Sequence, residues 1–144
     1  MTLRAATAGD YPAVLGLLER AGLPSDGVPA GMHDFIVADR EGRIVGAVGL
    51  EHYGESALLR SAVVDPGLRN TGLGTSLIED LLARASERGI RDLYLLTTTA
   101  EGWFPRFGFV RIDRDAVPEA VRTSVEFREA CPASATVMRK NLAP

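Results

Sequence analysis

The stretch Leu59–Thr75 constrains the fold of this chain more than any other, because it places a strand, a turn and a helix start in direct succession. It reads LRSAVVDPGLRNTGLGT, with an apolar run that Asp65 and Pro66 end. Gly72 and Gly74 follow, just before a long amphipathic segment. Free backbone N–H groups and the helix dipole favour negative charge at the start of such a helix. The stretch therefore predicts an anion site that holds a pyrophosphate.

The bulk properties of the sequence restrict the class of protein. A chain of 144 residues is about the size of one ordinary domain, so we expect a single domain over residues 1–144. The net charge of −3 leaves no basic excess, which argues against nucleic acid as the main partner. No apolar run reaches the roughly 18 residues that a membrane span needs, and the N-terminus lacks a signal-peptide pattern. We therefore expect no membrane partner.

The few cysteines and histidines bear on the compartment and on metal binding. Cys131 is the single cysteine, which rules out a disulfide framework within the chain and indicates a reducing compartment. A cytoplasmic protein is therefore expected. Only His33 and His52 are present, too few for a typical histidine-rich metal site, so we expect no metal.

Hydrophobic periodicity and turn residues predict a mixed succession of strands and helices. In chain order we expect a strand at Thr2–Ala5, a helix that starts near Thr7 and stops at Gly22, strands at Phe35–Asp39, Arg43–Glu51 and Ala57–Val64, a helix over Gly72–Arg88, a strand at Asp92–Thr98, a short helix at Ala100–Phe107, a strand at Phe109–Ile112, a polar helix near Pro118–Arg128 and a last strand at Ala135–Lys140. The three strands before the loop are expected to form an antiparallel meander, and the strands on either side of the long helix to be parallel neighbours.

Three phosphate-binding patterns compete for the glycine-bearing loop. A P-loop would need G-x-x-x-x-G-K-[ST], which the sequence lacks. A dinucleotide fingerprint would need a third glycine where Leu77 stands, and it would begin the fold where this loop ends a meander. The third pattern is R-x-x-G-x-G after a valine-rich strand, and it is present as Arg69, Gly72 and Gly74 after Val63–Pro66.

This third pattern resembles the signature of the GNAT superfamily of acetyl-CoA-dependent N-acetyltransferases. The order of elements fits that family over almost the whole length, and Phe107–Phe109 matches its "GF" motif before a later strand. The resemblance implies an α/β (α+β) fold, with a central mixed sheet of about six to seven strands and helices on both faces. It also implies a splay between the fourth and fifth strands, an N-acetyltransferase activity, and acetyl-CoA as co-substrate.

The resemblance places the co-substrate on the loop and on the strand before it. Glycine lets the backbone approach phosphate without an intervening Cβ, and the amides of Asn70–Thr75 are expected to donate to the pyrophosphate. Arg69 either places a cation near the phosphates or is a solvated loop arginine. Thr75 either adds a hydroxyl bond or is simply a first-turn helix residue. The backbone of Val63 and Val64 is expected to hold the pantetheine arm. The expected cofactor-binding residues are Val63, Val64, Arg69, Asn70, Thr71, Gly72, Leu73, Gly74, Thr75 and Thr98.

The reaction implied by the resemblance needs a group that removes a proton from the acceptor amine. Glu51, at the end of a meander strand, is the first candidate for the base, directly or through water, and Glu55 in the next turn is the second. Each is alternatively a solvated turn charge. His52 and Tyr53 are further alternatives. Many family members carry a tyrosine that protonates the leaving thiolate, and Phe104 replaces it here, so water is the alternative proton source.

Arg60 is the most informative residue for the acceptor. Strand alternation predicts that residues 60, 62 and 64 share one face. The arginine therefore points either to solvent or into the acceptor cleft, where it would bind a carboxylate, phosphonate or arsonate-like group. Trp103 is interpreted as a core residue rather than a substrate platform. The expected substrate-binding residues are Arg60, Ser61, Thr97 and Ser134.

Two further blocks carry finer resemblances. Leu96–Phe104 resembles the L-T-T…W-F block of GNAT enzymes that make N-acetylglutamate, and Val117–Glu119 with Cys131–Ala135 resembles small arsenic-resistance N-acetyltransferases. They imply acetylation of the amino group of a small molecule, an acidic amino acid or an analogue such as a phosphinothricin- or arsinothricin-like compound. A lone thiol does not make a trivalent-arsenic site, so Cys131 is interpreted as structural. The alternative is a non-catalytic module that binds acetyl-CoA or an amino acid, and the family resemblance also allows a homodimer.

Overall fold

One mixed sheet carries the fold of the computed structural model, which describes residues 1–124, 127 and 134–142. Its strands are β1 (Thr2–Ala5), β2 (Phe35–Arg40), β3 (Arg43–Tyr53), β4 (Ser56–Val64), β5 (Asp92–Thr97), β6 (Val110–Ile112) and β7 (Thr136–Asn141). The helices of the described residues are α1 (Tyr11–Ala21), α2 (Leu73–Glu87) and α3 (Glu119–Arg122). None of these helices has the length and apolar character needed to cross a membrane.

The strand order is β1-β2-β3-β4-β5-β7-β6, which confirms the expected mixed sheet. Strands β1 to β4 pair antiparallel in succession, as the short turns between them predict. Strands β4 and β5 are parallel neighbours joined through α2, and β5 then pairs antiparallel with β7. The predicted meander and the predicted crossover unit are both confirmed.

The two long helices lie on opposite faces of the sheet. Alternation along β2 shows this, because Ile36 and Ala38 belong to the core cluster that contains the buried residues of α2. Phe35 and Val37 belong to the cluster that contains the buried residues of α1. A third cluster, on the α1 face, joins Leu58 of β4 to residues that follow β6; its buried members are Leu58, Tyr94, Val117, Val121, Phe127 and Val137.

A β-bulge in β4 changes which side chains share a face. Between the pairs Gly49–Arg60 and Ala47–Val63, β4 advances by three residues and β3 by two, and Ser61 takes the extra place with φ 58°. Beyond the bulge the alternation is inverted. The expectation that residues 60, 62 and 64 share one face is therefore wrong. Arg60 pairs with Gly49 on the α1 face, whereas Ala62 and Val64 pack against the α2 cluster.

Several predicted element boundaries also change. Strand β3 continues to Tyr53, so Glu51 lies within the strand and the turn predicted over His52–Ser56 contains only residues 54 and 55. Gly72 is the residue that caps α2 rather than its first member. The predicted short helix is reduced to a 3-10 turn at Phe104–Phe107, with Pro105 in its first turn. The predicted polar helix is present in part as α3, and residues 125, 126 and 128 of its predicted span lie outside the described residues.

The Gly49→Ala substitution tests how tightly β3 packs on its neighbour. A Cβ at Gly49 would lie 2.4–2.6 Å from ring atoms of Phe35, so we expect overpacking to lower the free energy of unfolding by about 1–3 kcal/mol. Gly31→Ala is the matched control, because nothing lies within 4 Å of its added Cβ, and its effect should stay within about 0.5 kcal/mol. Urea unfolding measures both. Equal stabilities for the two variants would contradict the packing.

A buried carboxylate links β1 to the start of α1. Asp10 accepts two hydrogen bonds from the Arg4 guanidinium, at 2.8 and 2.9 Å, and one from the Thr7 backbone N–H at 2.8 Å. This last bond belongs to a capping box between Thr7 and Asp10, and a short 3-10 turn at Ala8–Asp10 precedes α1. The bonds from Arg4, opposed by burial and assisted by Thr7, lower the pKa of Asp10 from 3.8 to about 2.

The lowered pKa of Asp10 predicts a contribution to stability that depends on pH. The stabilisation is fully present above pH 4 and is lost as the pH falls through about 2, because protonation then removes the favoured carboxylate. We expect Asp10→Asn to lower the free energy of unfolding at neutral pH by about 1–2 kcal/mol, since Arg4 is partly exposed and partly screened. Denaturation between pH 7 and pH 2 should show the two proteins converging in acid. A constant difference would contradict this.

Candidate active site

The site is a cleft that opens where β4 and β5 stop pairing. The two strands are in register only from Ser56–Asp92 to Leu58–Tyr94, although β4 continues to Val64 and β5 to Thr97. The expected splay between the fourth and fifth strands is therefore present. A cleft of about 610 Å³ lies between the diverging segments. Its lining comes from the α1–β2 loop, from residues 59–64 of β4, from Arg69, and from residues 95–100, Trp103 and Phe104.

The backbone of β4 presents a donor to this cleft. The Asp65 N–H donates to the Val45 carbonyl at 2.8 Å and so faces β3. Because successive backbone groups of a strand point in opposite directions, the Val64 N–H faces away from β3, toward the side from which β5 has diverged. By the same alternation the Val63 backbone faces β3. Of the two valines singled out by sequence, Val64 is the one whose amide faces the cleft.

The loop before α2 has the form that the glycines predict. Asn70 and Gly72 adopt left-handed φ angles of 64° and 87°, and the first bond of the helix runs from the Ser76 N–H to the Gly72 carbonyl at 3.0 Å. The N–H groups at the very start of an α-helix have no acceptor within the helix. The loop backbone is fixed by Thr71, whose hydroxyl donates to the Leu68 carbonyl at 2.6 Å. The loop backbone is thus fixed where α2 begins, next to helix amides that have no acceptor within the helix.

The side chains of this segment divide between core and surface. Leu73 is buried in the α2 cluster and anchors the start of the helix. Thr75 is half-buried in the first turn, and Arg69 is exposed and lines the cleft. A Cβ added at Gly74 would meet the Trp103 ring at 3.5 Å, so the helix start lies directly beside the cleft wall.

An aromatic cluster forms that wall. Trp103 packs edge to face on Phe104 and Phe107, with ring centroids 5.0 and 4.9 Å apart. Phe104 packs in the same way on Phe109. Both Trp103 and Phe104 line the cleft. The interpretation of Trp103 as core alone is therefore incomplete, because one side of it packs on the core and the other faces the cleft.

Arg60 and Glu51 are brought together as an ion pair. The Arg60 Nη1 donates to Glu51 Oε2 at 2.8 Å, and its Nε donates to the Ser61 hydroxyl at 3.0 Å. The Arg60 side chain has 0% exposed surface and that of Glu51 has 21%. The sequence predicts that Arg60 points either to solvent or into the open cleft. In the structure its guanidinium is instead buried against a carboxylate of the protein. Arg60 lines the cleft; Glu51 is not a lining residue, but the ion pair holds its partly exposed carboxylate next to the Arg60 guanidinium.

Tyr53 completes this group and is the residue whose position sequence reasoning missed. Its hydroxyl donates to Glu51 Oε1 at 2.6 Å, so each carboxylate oxygen of Glu51 accepts its own hydrogen bond. Burial, then the bond to Glu51, raise the pKa of Tyr53 well above its usual value of 10, against a smaller opposing effect of Ser124. Tyr53 lies two residues after Glu51, which puts both on one face of a strand once β3 is known to continue.

The remaining expected residues take different places. Thr97 and Thr98 line the cleft, but the Thr97 hydroxyl oxygen already accepts the Ala100 N–H at 2.9 Å. Ser134 is exposed in the turn before β7 and does not line the cleft. Glu55 is 75% exposed in its turn, and His52 lies 3.0 Å from the Arg88 guanidinium, so neither joins the site. Cys131 lies outside the described residues.

The α1–β2 loop supplies the opposite wall. Residues 21–24 and Asp26 line the cleft, while Val28 and Met32 of the same loop are buried in the α1 cluster. The loop is rich in glycine and proline, a composition typical of loops that cover a site, and its lining residues show that it borders the cleft. Asp26 is exposed, which puts a carboxylate at this wall.

Comparison with known families bears on this geometry. A family model described as "Acetyltransferase (GNAT) domain" matches residues 31–111, more than half of the chain. An amino-acid acetyltransferase of Pasteurella multocida is 29% identical over 136 residues, which cover 88% of this chain and 31% of that protein. The chain spans no more than 31% of the length of the amino-acid acetyltransferases that it matches.

Solved structures show the same fold. The N-acetylglutamate synthase of Neisseria gonorrhoeae, complexed with coenzyme A and N-acetylglutamate, superposes with a TM-score of 0.85 at 22% identity, over 99% of this chain and 35% of that one. The protein Rv2747 of Mycobacterium tuberculosis, in a complex that contains CoA, gives a TM-score of 0.84 at 23% identity, over 99% of this chain and 100% of that one. At these identities the likeness establishes the fold.

Proposed function

The chain belongs to the GNAT acetyltransferase family, and we propose that it transfers the acetyl group of acetyl-CoA to the amino group of an amino acid. The observation that carries this proposal is the cleft between β4 and β5, with the capped start of α2 beside its aromatic wall. A pantetheine arm with a pyrophosphate at one end and a thioester at the other suits such a cleft. The N-acetylglutamate synthase of similar fold was solved with coenzyme A.

The residues present fit a CoA pyrophosphate. The left-handed backbone at Asn70 and Gly72 turns the chain into α2, where amides lack acceptors within the helix. Arg69, exposed at the cleft, adds a cation. The proposed contacts run through the backbone of Asn70, Thr71, Gly72, Leu73, Gly74 and Thr75, with Thr98 on the opposite wall. The outward amide of Val64 is the proposed donor to the pantetheine arm and the acetyl carbonyl.

Glu51 is the proposed base, acting directly or through a water. Acetyl-CoA supplies an activated acetyl carbon and a thiol leaving group of pKa about 8.5. Glu51 receives a proton from the acceptor ammonium, and the freed nitrogen lone pair forms the new C–N bond as the C–S bond breaks. The nitrogen then loses its second proton to water, which leaves the neutral amide. The thiolate leaves with the electron pair and takes a proton from water, because Phe104 offers no hydroxyl at the cleft wall.

An acidic amino acid or a close analogue is the proposed acceptor. The block Leu96–Phe104 supports this, and so does the likeness to amino-acid acetyltransferases and to an N-acetylglutamate synthase fold. Phosphinothricin- and arsinothricin-like compounds share the amino group and the second acidic group of glutamate. A role in arsenic resistance follows only if the arsenical analogue is acetylated.

The glycine at the cap of α2 gives a test of the pyrophosphate loop. We expect Gly72→Val to weaken acetyl-CoA binding at least tenfold, because a branched side chain disfavours φ 87° and would stand where backbone must approach phosphate. Gly89→Val is the matched control, with φ 81° and equally open space beyond the other end of α2. Isothermal calorimetry on both folded variants measures the difference. Equal affinities would place the pyrophosphate elsewhere.

A thiol-release assay tests the reaction and its acceptor class. We expect CoA release with acetyl-CoA and L-glutamate, L-aspartate, phosphinothricin or arsinothricin, and at least tenfold lower kcat/KM with L-leucine, L-lysine and spermidine. Mass spectrometry of the product should show one added acetyl group on nitrogen. Turnover of polyamines or aminoglycosides, with none of the acidic acceptors, would contradict the acceptor class while leaving the transferase assignment intact.

A second candidate function is a non-catalytic module that binds acetyl-CoA or an amino acid. Phe104 favours it, because that buried ring stands where many relatives place an acid–base tyrosine. Calorimetry separates the two functions. Acetyl-CoA binding without CoA release on any amine of the panel would support the module, whereas release on one of them supports the enzyme.

A further inference from the structure

Two side chains with no role of their own in the proposed reaction, those of Tyr53 and Arg60, each donate a hydrogen bond to the Glu51 carboxylate. Its Oε1 accepts from the Tyr53 hydroxyl at 2.6 Å, and its Oε2 accepts from the Arg60 guanidinium at 2.8 Å. A carboxylate oxygen has two lone-pair sites, so one site on each oxygen stays open to receive a proton. The carboxylate cannot rotate without losing both bonds.

The two donors are themselves fixed by the fold. The Arg60 guanidinium is held next to the bulge. Ser61 takes the extra place in β4, and its hydroxyl oxygen accepts a hydrogen bond from Arg60 Nε at 3.0 Å. Tyr53 packs against the third cluster and interacts with Ser124, which is 3% exposed. Both donors thus rest on rigid elements rather than on mobile loops.

The exposed fractions of the Arg60 and Glu51 side chains differ. Arg60 has no exposed side-chain surface, whereas Glu51 keeps 21% of its side-chain surface exposed. Of the two partners in the ion pair, Glu51 is therefore the one that a water or an acceptor amine can approach. The Glu51 carboxylate beside the Arg60 guanidinium opposes the approach of a second carboxylate to it.

We infer that Arg60 and Tyr53 are positioning residues that hold the Glu51 carboxylate for proton removal, an inference that rests on the proposed function. Arg60 acts through Glu51 and does not bind the acidic group of the acceptor. Removing either donor frees the carboxylate to rotate, which lowers kcat. Tyr53 does not line the cleft, so its replacement leaves the contacts that bind acetyl-CoA and the acceptor unchanged.

Steady-state kinetics with acetyl-CoA and the fastest amino acid of the panel tests this inference. We expect Tyr53→Phe and Arg60→Lys each to lower kcat about ten- to a hundredfold, with KM for the amino acid changed less than about threefold. Calorimetric affinity for acetyl-CoA should stay at the wild-type value. Tyr11→Phe, which removes a phenol hydroxyl from α1, is the control and should leave kcat unchanged.

The decisive comparison adds Glu51→Gln. In that background we expect Tyr53→Phe to lower kcat no further, because the carboxylate it positions is already lost. Losses that multiply would overturn the inference, and so would an Arg60→Lys variant that raises KM for acidic amino acids at constant kcat. Tyr53→Phe removes only the hydroxyl oxygen and keeps the packed ring. If Arg60→Lys fails to fold, the Tyr53→Phe variant alone still tests the inference.

Failure of the proposed function is visible separately. A wild-type protein that binds acetyl-CoA but releases no CoA on any acceptor removes the function, and with it the need for a positioned base. An active wild type whose Tyr53→Phe variant is equally fast keeps the function and overturns only the inference.

Discussion

The parting of β4 from β5 after Leu58 is the constraint on which the rest of the site depends. Each strand keeps a full partner on its other side, since β4 pairs with β3 along its length and β5 pairs with β7 from Asp92 to Thr97. The sheet therefore survives the separation. The two inner strand edges are left with backbone groups that need other partners, which water or a ligand supplies. A cleft lined by strand backbone follows from this topology.

The bulge at Ser61 changes the direction in which the β4 backbone groups and the neighbouring side chains point. A left-handed φ at a residue other than glycine costs about 1–3 kcal/mol and persists only where its surroundings enforce it. Here the Ser61 hydroxyl accepts from Arg60, and Arg60 pairs with Glu51, so the bulge and the buried ion pair support one another. The inserted residue thus places a hydroxyl acceptor beside the Arg60 guanidinium and shifts the alternation beyond it, which includes the outward amide of Val64.

Hydrophobic periodicity and turn residues predicted those features of the fold that depend on neighbouring residues in the sequence. The order of strands and helices and the glycine-bearing turn into α2 each follow from residues close together in sequence. The bulge does not, because Ser61 carries no signal for a positive φ, and the alternation assumed across it gave Arg60 the wrong neighbours. The position of Tyr53 was missed for a related reason: pairing with β4 extends β3 beyond the point where its own hydrophobic pattern fades.

The ion pair also changes where acceptor selectivity can arise. With Arg60 buried against Glu51, the exposed charges that line the cleft within the described part of the chain are Asp26 and Arg69. They stand on different elements, Asp26 in the α1–β2 loop and Arg69 before α2. A carboxylate at one wall attracts an ammonium, and an arginine beside a helix start attracts a phosphate. In the proposed reaction Asp26 attracts the acceptor amine and Arg69 the phosphates of CoA, and a preference for a second acidic group on the acceptor then arises from contacts other than Arg60.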